Sequence, residues 1–174
     1  MKKFLLIICL LLNFSSFSQS IEFEKITEID SIVAKEILFN RLSSRLYEYF
    51  DGQNNYEKNI IQSDKDLGVI KFRQVIRYDP GKARSDIGYV YFNVNVYFKD
   101  GKFRIIFSDF VHEAPISYYE ITEDEEYPHE KRDWLKFRKK GWVKLKEYLE
   151  IEMPKKFPIY ETMILIPIEQ EKDW

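Results

Sequence analysis

Cysteine is almost absent from this chain: the single one, Cys9, lies in an N-terminal apolar stretch, and no cysteine follows it. The remainder therefore owes no stability to disulfides and offers no thiolate nucleophile, so its core must hold the fold alone. Histidine is scarce as well. His112 (before Glu113) and His129 (before Glu130) are far apart and lack His-Glu-x-x-His spacing, which argues against zinc and leaves both as ordinary surface residues. No Gly-x-Ser-x-Gly elbow and no Gly-rich phosphate loop occurs. Positive charge is not in excess, with 27 basic against 29 acidic residues. No apolar run is long enough to cross a membrane either, since Phe4 to Leu12 is about half of the ~20 residues a span needs.

What the first residues do contain is Lys2 and Lys3, that apolar run, and a small-residue exit at Ser16, Phe17 and Ser18 before Gln19. This order reads as a secretory signal peptide over residues 1–18. Ile8 precedes Cys9 where a lipoprotein processing site wants a small residue, so a released protein is expected in the periplasm or outside the cell, with no transmembrane segment after signal removal. Cleavage after Ser18 leaves 156 of the 174 residues, enough for one domain over 19–153 and a tail over 154–174. Losing Lys2 and Lys3 leaves 25 basic residues against 29 acidic ones, a net charge near −4 that weakens bulk attraction to nucleic acid or anionic membrane. Export also removes DNA, nucleotide pools and dinucleotide cofactors from the expected partners. Aromatic residues, at 17% with 14 Phe and 12 Tyr, exceed what a small core holds and place some rings at a surface or interface.

Ile21 to Glu28 alternates as a first strand with Ile21, Phe23 and Ile26 inward. Asp30 or Ser31 caps a following helix, in which Ile32, Phe39, Leu42, Leu46 and Tyr49 recur at helical spacing until Asp51 and Gly52. Strands are expected over Glu57 to Ser63 and Val69 to Tyr78, with a turn at Asp79 to Lys82. Ile87 to Phe98 alternates most cleanly, and Asp100-Gly101 turns it into a fifth strand from Lys102 to about Val111. An acidic loop over residues 116–128 leads to a second helix from Glu130 to Glu150, bearing Trp134, Leu135, Arg138, Trp142, Leu145 and Leu149 on one face. In the tail, Pro158 opens a short helix with Tyr160, Met163 and Ile164 inward, in competition with an apolar strand from Met163 to Ile168.

This α+β order of strand, helix, four strands and helix resembles a family of bacteroidete secreted proteins classed as a domain of unknown function with a TBP-like fold. The likeness rests on the Gly88 to Phe98 strand, on the hairpin Lys99 to Ile105 running into Asp109 and Phe110, and on Glu125, Glu126, Tyr127 and Pro128 before a Trp-containing helix. It covers roughly Phe23 to Leu149. The resemblance implies a curved antiparallel sheet of about five strands, in the order β-α-β-β-β-β-α plus the tail, with both helices on one side. It implies no activity and no catalytic residues.

Period-two geometry directs Val90, Phe92, Val94, Val96 and Phe98 toward the helices and Tyr89, Tyr91, Asn93, Asn95 and Tyr97 away from them. Arg73 and Arg77 on the strand before, and Arg104 on the strand after, share that helix-free face. One reading is a solvated sheet stabilised by Tyr and Arg contacts, or covered by the tail. The other is a binding surface for a protein segment, a glycan or a lipid headgroup, with tyrosines as anchors and arginines as anion hooks. Aromatic stacking beside basic groups also suits nucleic acid, but export and negative charge weigh against that partner.

No metal and no cofactor is expected. The acidic run Glu120, Glu123, Asp124, Glu125 and Glu126 lacks the ligand spacing and central glycine of a calcium loop. Asp30-Ser31-Ile32 matches a short glycosylation sequon, which helix capping explains equally. The expectation is a non-catalytic binding or assembly module, the alternatives being an envelope hydrolase with paired carboxylates and a self-associating structural protein.

Overall fold

The computed structural model describes residues 20–29, 33–81, 87–124 and 137–168. The signal-peptide expectation, the Asp30 or Ser31 cap, the first turns of the second long helix with Trp134 and Leu135, and residues 169–174 lie outside these. The elements run β1 (Phe23–Glu28), α1 (Lys35–Tyr49), α2 (Gln53–Asn59), β2 (Ile60–Asp64), β3 (Val69–Tyr78), β4 (Gly88–Lys99), β5 (Lys102–Glu113), β6 (Tyr119–Glu120), α3 (Phe137–Glu152), a 3-10 turn (Pro154–Lys156) and α4 (Phe157–Leu165). The strands form one antiparallel, open six-stranded sheet in the order β1-β5-β4-β3-β2, with β6 beside the far end of β5. The sixth strand is additional to the five the sequence suggests.

The strong alternation of β4 puts Val90, Phe92, Val94, Val96 and Phe98 in the core, where Ile70 and Phe72 of β3 and Phe103, Ile105 and Phe107 of β5 join them. Helices cover this face only among the described residues. Phe39 of α1 meets Phe98 edge to face at 5.9 Å, Tyr148 of α3 meets Tyr78 at 5.1 Å, and Phe157 of α4 stacks on Phe107 at 4.4 Å. Such ring pairs add to the gain from burial alone. The tail therefore does form a helix, and it packs with the other helices rather than across the tyrosines. Arg41 and Arg45 of α1 close its C-terminal end. Arg41 Nη1 donates to Ile164 O and Leu165 O, while Arg45 donates to Met163 O, Ile166 O and Pro167 O. Carbonyls left unpaired by the end of the helix are thus satisfied by cations, the favourable sign at that terminus.

Several sequence expectations need correction. Ile26 points outward and is 57% exposed, because its even number sets it on the face opposite Phe23. Glu57 to Asn59, expected to open a strand, instead close the helix α2 (Gln53–Asn59), so β2 begins only at Ile60. Tyr49 is half exposed at the end of α1, whereas Leu38, Leu42 and Leu46 are fully buried. The first residue of α1 is capped from a distance: Lys35 N donates to Asp100 Oδ1 at 2.8 Å, so the turn between β4 and β5 supplies the acceptor usually found in an N-cap residue. His112 is not a surface residue. It is completely buried, accepts a hydrogen bond at Nδ1 from Tyr118 N at 3.1 Å, and packs against the rings of Tyr78 and Tyr118.

The cause of that last difference is a β-bulge. Tyr91 pairs with Val111 but Asn93 pairs with Ser108, so Phe92 alone stands opposite Asp109 and Phe110. Asp109 takes the extra position with a left-handed φ of 56°. Inward residues on β5 are odd-numbered before the bulge and even-numbered after it, which buries Phe110, stacked at 5.4 Å on Phe92, together with His112.

Candidate functional site

All eight residues singled out from the sequence lie on the helix-free face. Cross-strand register arranges this face in rows: Arg77, Tyr89 and Glu113; Val75, Tyr91 and Val111; Arg73, Asn93 and Ser108; Lys71, Asn95 and Ile106; and Val69, Tyr97 and Arg104. Tyr89 is 52% exposed, while Tyr91, Asn93, Asn95 and Tyr97 are half-buried, and Ile106 and Ser108 are covered. The apolar area open to a partner is consequently smaller than three free tyrosine rings would give.

Charge on this face is sorted by strand. Over the rows from Arg77 to Lys71, β3 contributes Lys71, Arg73 and Arg77, β4 contributes only tyrosines and amides, and the distal part of β5 contributes Asp109 and Glu113, while Lys99 and Lys102 lie at the hairpin end. Arg104, nearer the hairpin, is neutralised by Glu24 of β1 at 2.7 Å. Arg77 lies 3.6 Å from Asp79 in an exposed pair of little energetic weight.

Two concavities interrupt the sheet surface. One, of about 460 Å³, is lined by Arg73, Tyr91, Asn93, Asp109, Val111 and Glu113. The other, of about 570 Å³, lies at the hairpin end and includes Ile26, Tyr97, Lys99, Lys102, Arg104 and Ile106. Arg77, Tyr89 and Asn95 line neither. Within the first, Asp109 Oδ2 accepts from Asn93 Nδ2 at 2.8 Å and from Ser108 Oγ at 2.9 Å, and Ser108 Oγ in turn accepts from Asn95 Nδ2 at 2.9 Å. This chain of bonds fixes the carboxylate that the bulge projects outward. A non-glycine residue with positive φ, held by its side chain and bordering a concavity, is backbone strain placed where a surface is shaped.

Asp109, Val111 and Glu113 were missed by sequence reasoning because simple alternation assigns them to the core side. Their signal is the adjacent polar pair Ser108-Asp109, which interrupts Phe103, Ile105 and Phe107 and restarts the pattern one position later at Phe110. Among the described residues, no three His, Cys, Asp or Glu side chains gather as metal ligands. Glu120, Glu123 and Asp124 stay in the loop around β6, where Trp142 Nε1 and Lys146 Nζ donate to Asp124 O, while Glu125, Glu126 and His129 lie outside the described residues. No described helix is long and apolar enough to cross a membrane.

The fold class follows from this topology: an α+β protein with an open antiparallel sheet, helices on one face, of TBP-like type. It is similar to a TBP-like protein from Parabacteroides distasonis, with a TM-score of 0.62 at 13% identity over 86% of this chain and 95% of that one. A DUF4468 family protein from Bacteroides ovatus is similar over 81% of this chain and 85% of its own, with a TM-score of 0.51 at 14% identity. At these identities the likeness establishes the fold and nothing of the chemistry. No protein-family profile matches the sequence, and no curated protein does.

Proposed function

We propose that the protein is a non-catalytic binding or assembly module that works outside the cytoplasm and uses its helix-free sheet face for contact. The observation that carries this reading is the sorted charge of that face. Lys71, Arg73 and Glu113 make no ion pair among the described residues, although they stand on one surface with Tyr89, Tyr91 and the tethered Asp109. A fold gains little from cations on one strand and carboxylates two strands away, whereas a partner of matching charge gains orientation from them. The rows extend along most of β4, about 27 Å at strand rise, a length that suits a macromolecular surface better than one sugar or headgroup.

A photo-crosslinking side chain tests this reading when placed at Tyr91, with a second variant carrying it at exposed Lys144 on α3 as control. Adducts in the intact envelope are expected from Tyr91 and not from Lys144, and Tyr89→Ser with Tyr97→Ser should remove them without lowering the melting temperature. Equal labelling from both positions, or none from Tyr91, refutes the assignment.

A further inference from the structure

We infer that the helix-free face is a self-complementary surface whose partner is a second copy of this chain, related by a two-fold axis running along β4. This deepens the reading above and rests on it. Three consecutive rows carry the complementarity. Arg77 and Glu113 end the first, Val75 and Val111 end the second, and Arg73 and the Ser108-Asp109 bulge end the third, with Tyr89, Tyr91 and Asn93 of β4 at their centres.

Rotation by 180° about an axis along β4 lays the β3 end of every row over the β5 end of the same row in the other copy. Arg77 then faces Glu113, Val75 faces Val111, and Arg73 faces Asp109, each twice. The other in-plane two-fold axis, across the strands, sets β3 against β3 and brings Lys71, Arg73 and Arg77 toward their own counterparts. Charge therefore selects one arrangement and rejects the other. A foreign partner needs complementary charge, but nothing about it requires the complement to be symmetric about β4.

Size and geometry agree. Face-to-face sheets pack with strands within about 30° of each other, so a match over three rows, about 13 Å along the strands, survives the twist. The 45 residues of β1 to β5, at about 3.3 Å rise and about 4.8 Å strand spacing, offer at most roughly 700 Å² per copy, or about 1,400 Å² in total, inside the range of specific interfaces. Each copy also presents the 460 Å³ concavity containing Asp109 and Glu113 to the arginines of the other.

The test is a charge exchange followed by sedimentation equilibrium on the purified protein. Wild type is expected to dimerise, with association weakening as salt rises. Arg77→Glu and Glu113→Lys, both at exposed positions, should each weaken self-association by about tenfold or more through like-charge contacts. Mixing the two variants should restore a dimer, because each supplies the charge the other lacks. Circular dichroism on each variant confirms that the fold is retained. A monomeric wild type, or a dimer that ignores both substitutions, overturns the inference. Should Tyr91 crosslink to a different molecule while the protein stays monomeric, the two-fold arrangement fails and the contact face stands. Absence of crosslinks from Tyr91 removes both.

Discussion

Asp109 offers the sharpest test of how this sheet is built, because three substitutions and a deletion there separate backbone strain, hydrogen bonding and register. Its φ of 56° costs an ordinary L-residue about 1–2 kcal/mol, a penalty that Asp and Asn reduce through local hydrogen bonding and glycine does not incur. Its carboxylate accepts bonds from Asn93 and Ser108 at a largely exposed site, together worth about 1–2 kcal/mol. Asp109→Asn keeps an amide oxygen and should stay within about 0.5 kcal/mol of wild type. Asp109→Gly loses the bonds but gains backbone freedom, for a net change within about 1 kcal/mol. Asp109→Ala loses both advantages and should cost about 2–3 kcal/mol. Urea unfolding followed by far-ultraviolet circular dichroism measures these differences, provided that the slope of free energy against urea is unchanged. Deleting Asp109 is a different kind of lesion. It removes the extra residue, so strict alternation from Phe107 keeps Phe110 and His112 inward, and the variant should fold within about 2 kcal/mol of wild type, losing the carboxylate's bonds but also the strained backbone. Alanine performing as well as glycine would refute the left-handed backbone, and a deletion variant that fails to fold would refute the bulge.

The remaining predictions concern the helix side. Glu161 on α4 is held below the ordinary glutamate pKa: burial alone would raise it, but hydrogen bonds from Lys25 and Thr27 and the Lys25 charge outweigh that effect. Its tie to β1 is therefore complete above the ordinary glutamate range and is lost as pH falls through the lowered value, so wild type should lose stability in acid that Glu161→Gln does not, as read from melting temperature against pH. Arg45→Ala leaves carbonyls of Met163, Ile166 and Pro167 without their cation and should lower stability by about 1–2 kcal/mol, with faster amide exchange confined to α4. Gly88→Ala puts a methyl 2.1 Å from Glu113 O, where neither backbone can yield cheaply; a loss of about 1–3 kcal/mol in chemical denaturation is expected, and no loss would show that β4 and β5 stand further apart there. Leu42→Ala, at a fully buried position of α1, should cost about 2–5 kcal/mol by the same assay.

The fold was legible where local pattern and burial coincide. β4 alternates over its whole length with one face buried, so period alone fixes its orientation, and the Asp100-Gly101 turn fixes its pairing with β5. Legibility fails where side chains at a distance decide the local state. The start of α1 owes a hydrogen bond to Asp100, 65 positions away, and no inspection of residues 30–36 alone contains that acceptor. α2 fully buries no residue and is tied to α1 through Tyr56, its hydroxyl 3.4 Å from Ser43 Oγ and its ring against Tyr47, so its sequence carries neither a strand period nor a helical stripe. Ile26 has a simpler reason: its hydrophobicity suggests the core, whereas Phe23 makes the odd-numbered face of β1 the inward one.

The candidate surface shows the same division. Its β3 and β4 halves follow from alternation, and these hold the arginines and tyrosines that sequence reasoning selected. The acidic flank could not be reached in that way, because one inserted residue exchanges the two faces of β5 midway along the strand. Without the bulge the open face would carry Phe110 and His112 beside Tyr91 and Tyr89, and it would lack the Asp109 and Glu113 carboxylates. By absorbing one extra residue, the bulge keeps an apolar liability off the exposed sheet and leaves a surface with opposite charges on its two flanks. The core gains Phe110 on Phe92 and His112 between Tyr78 and Tyr118 from the same event. Stability and surface chemistry are therefore coupled through the register of β5, and any variant that turns Phe110 and His112 outward should lose cooperative unfolding and charge-dependent association together.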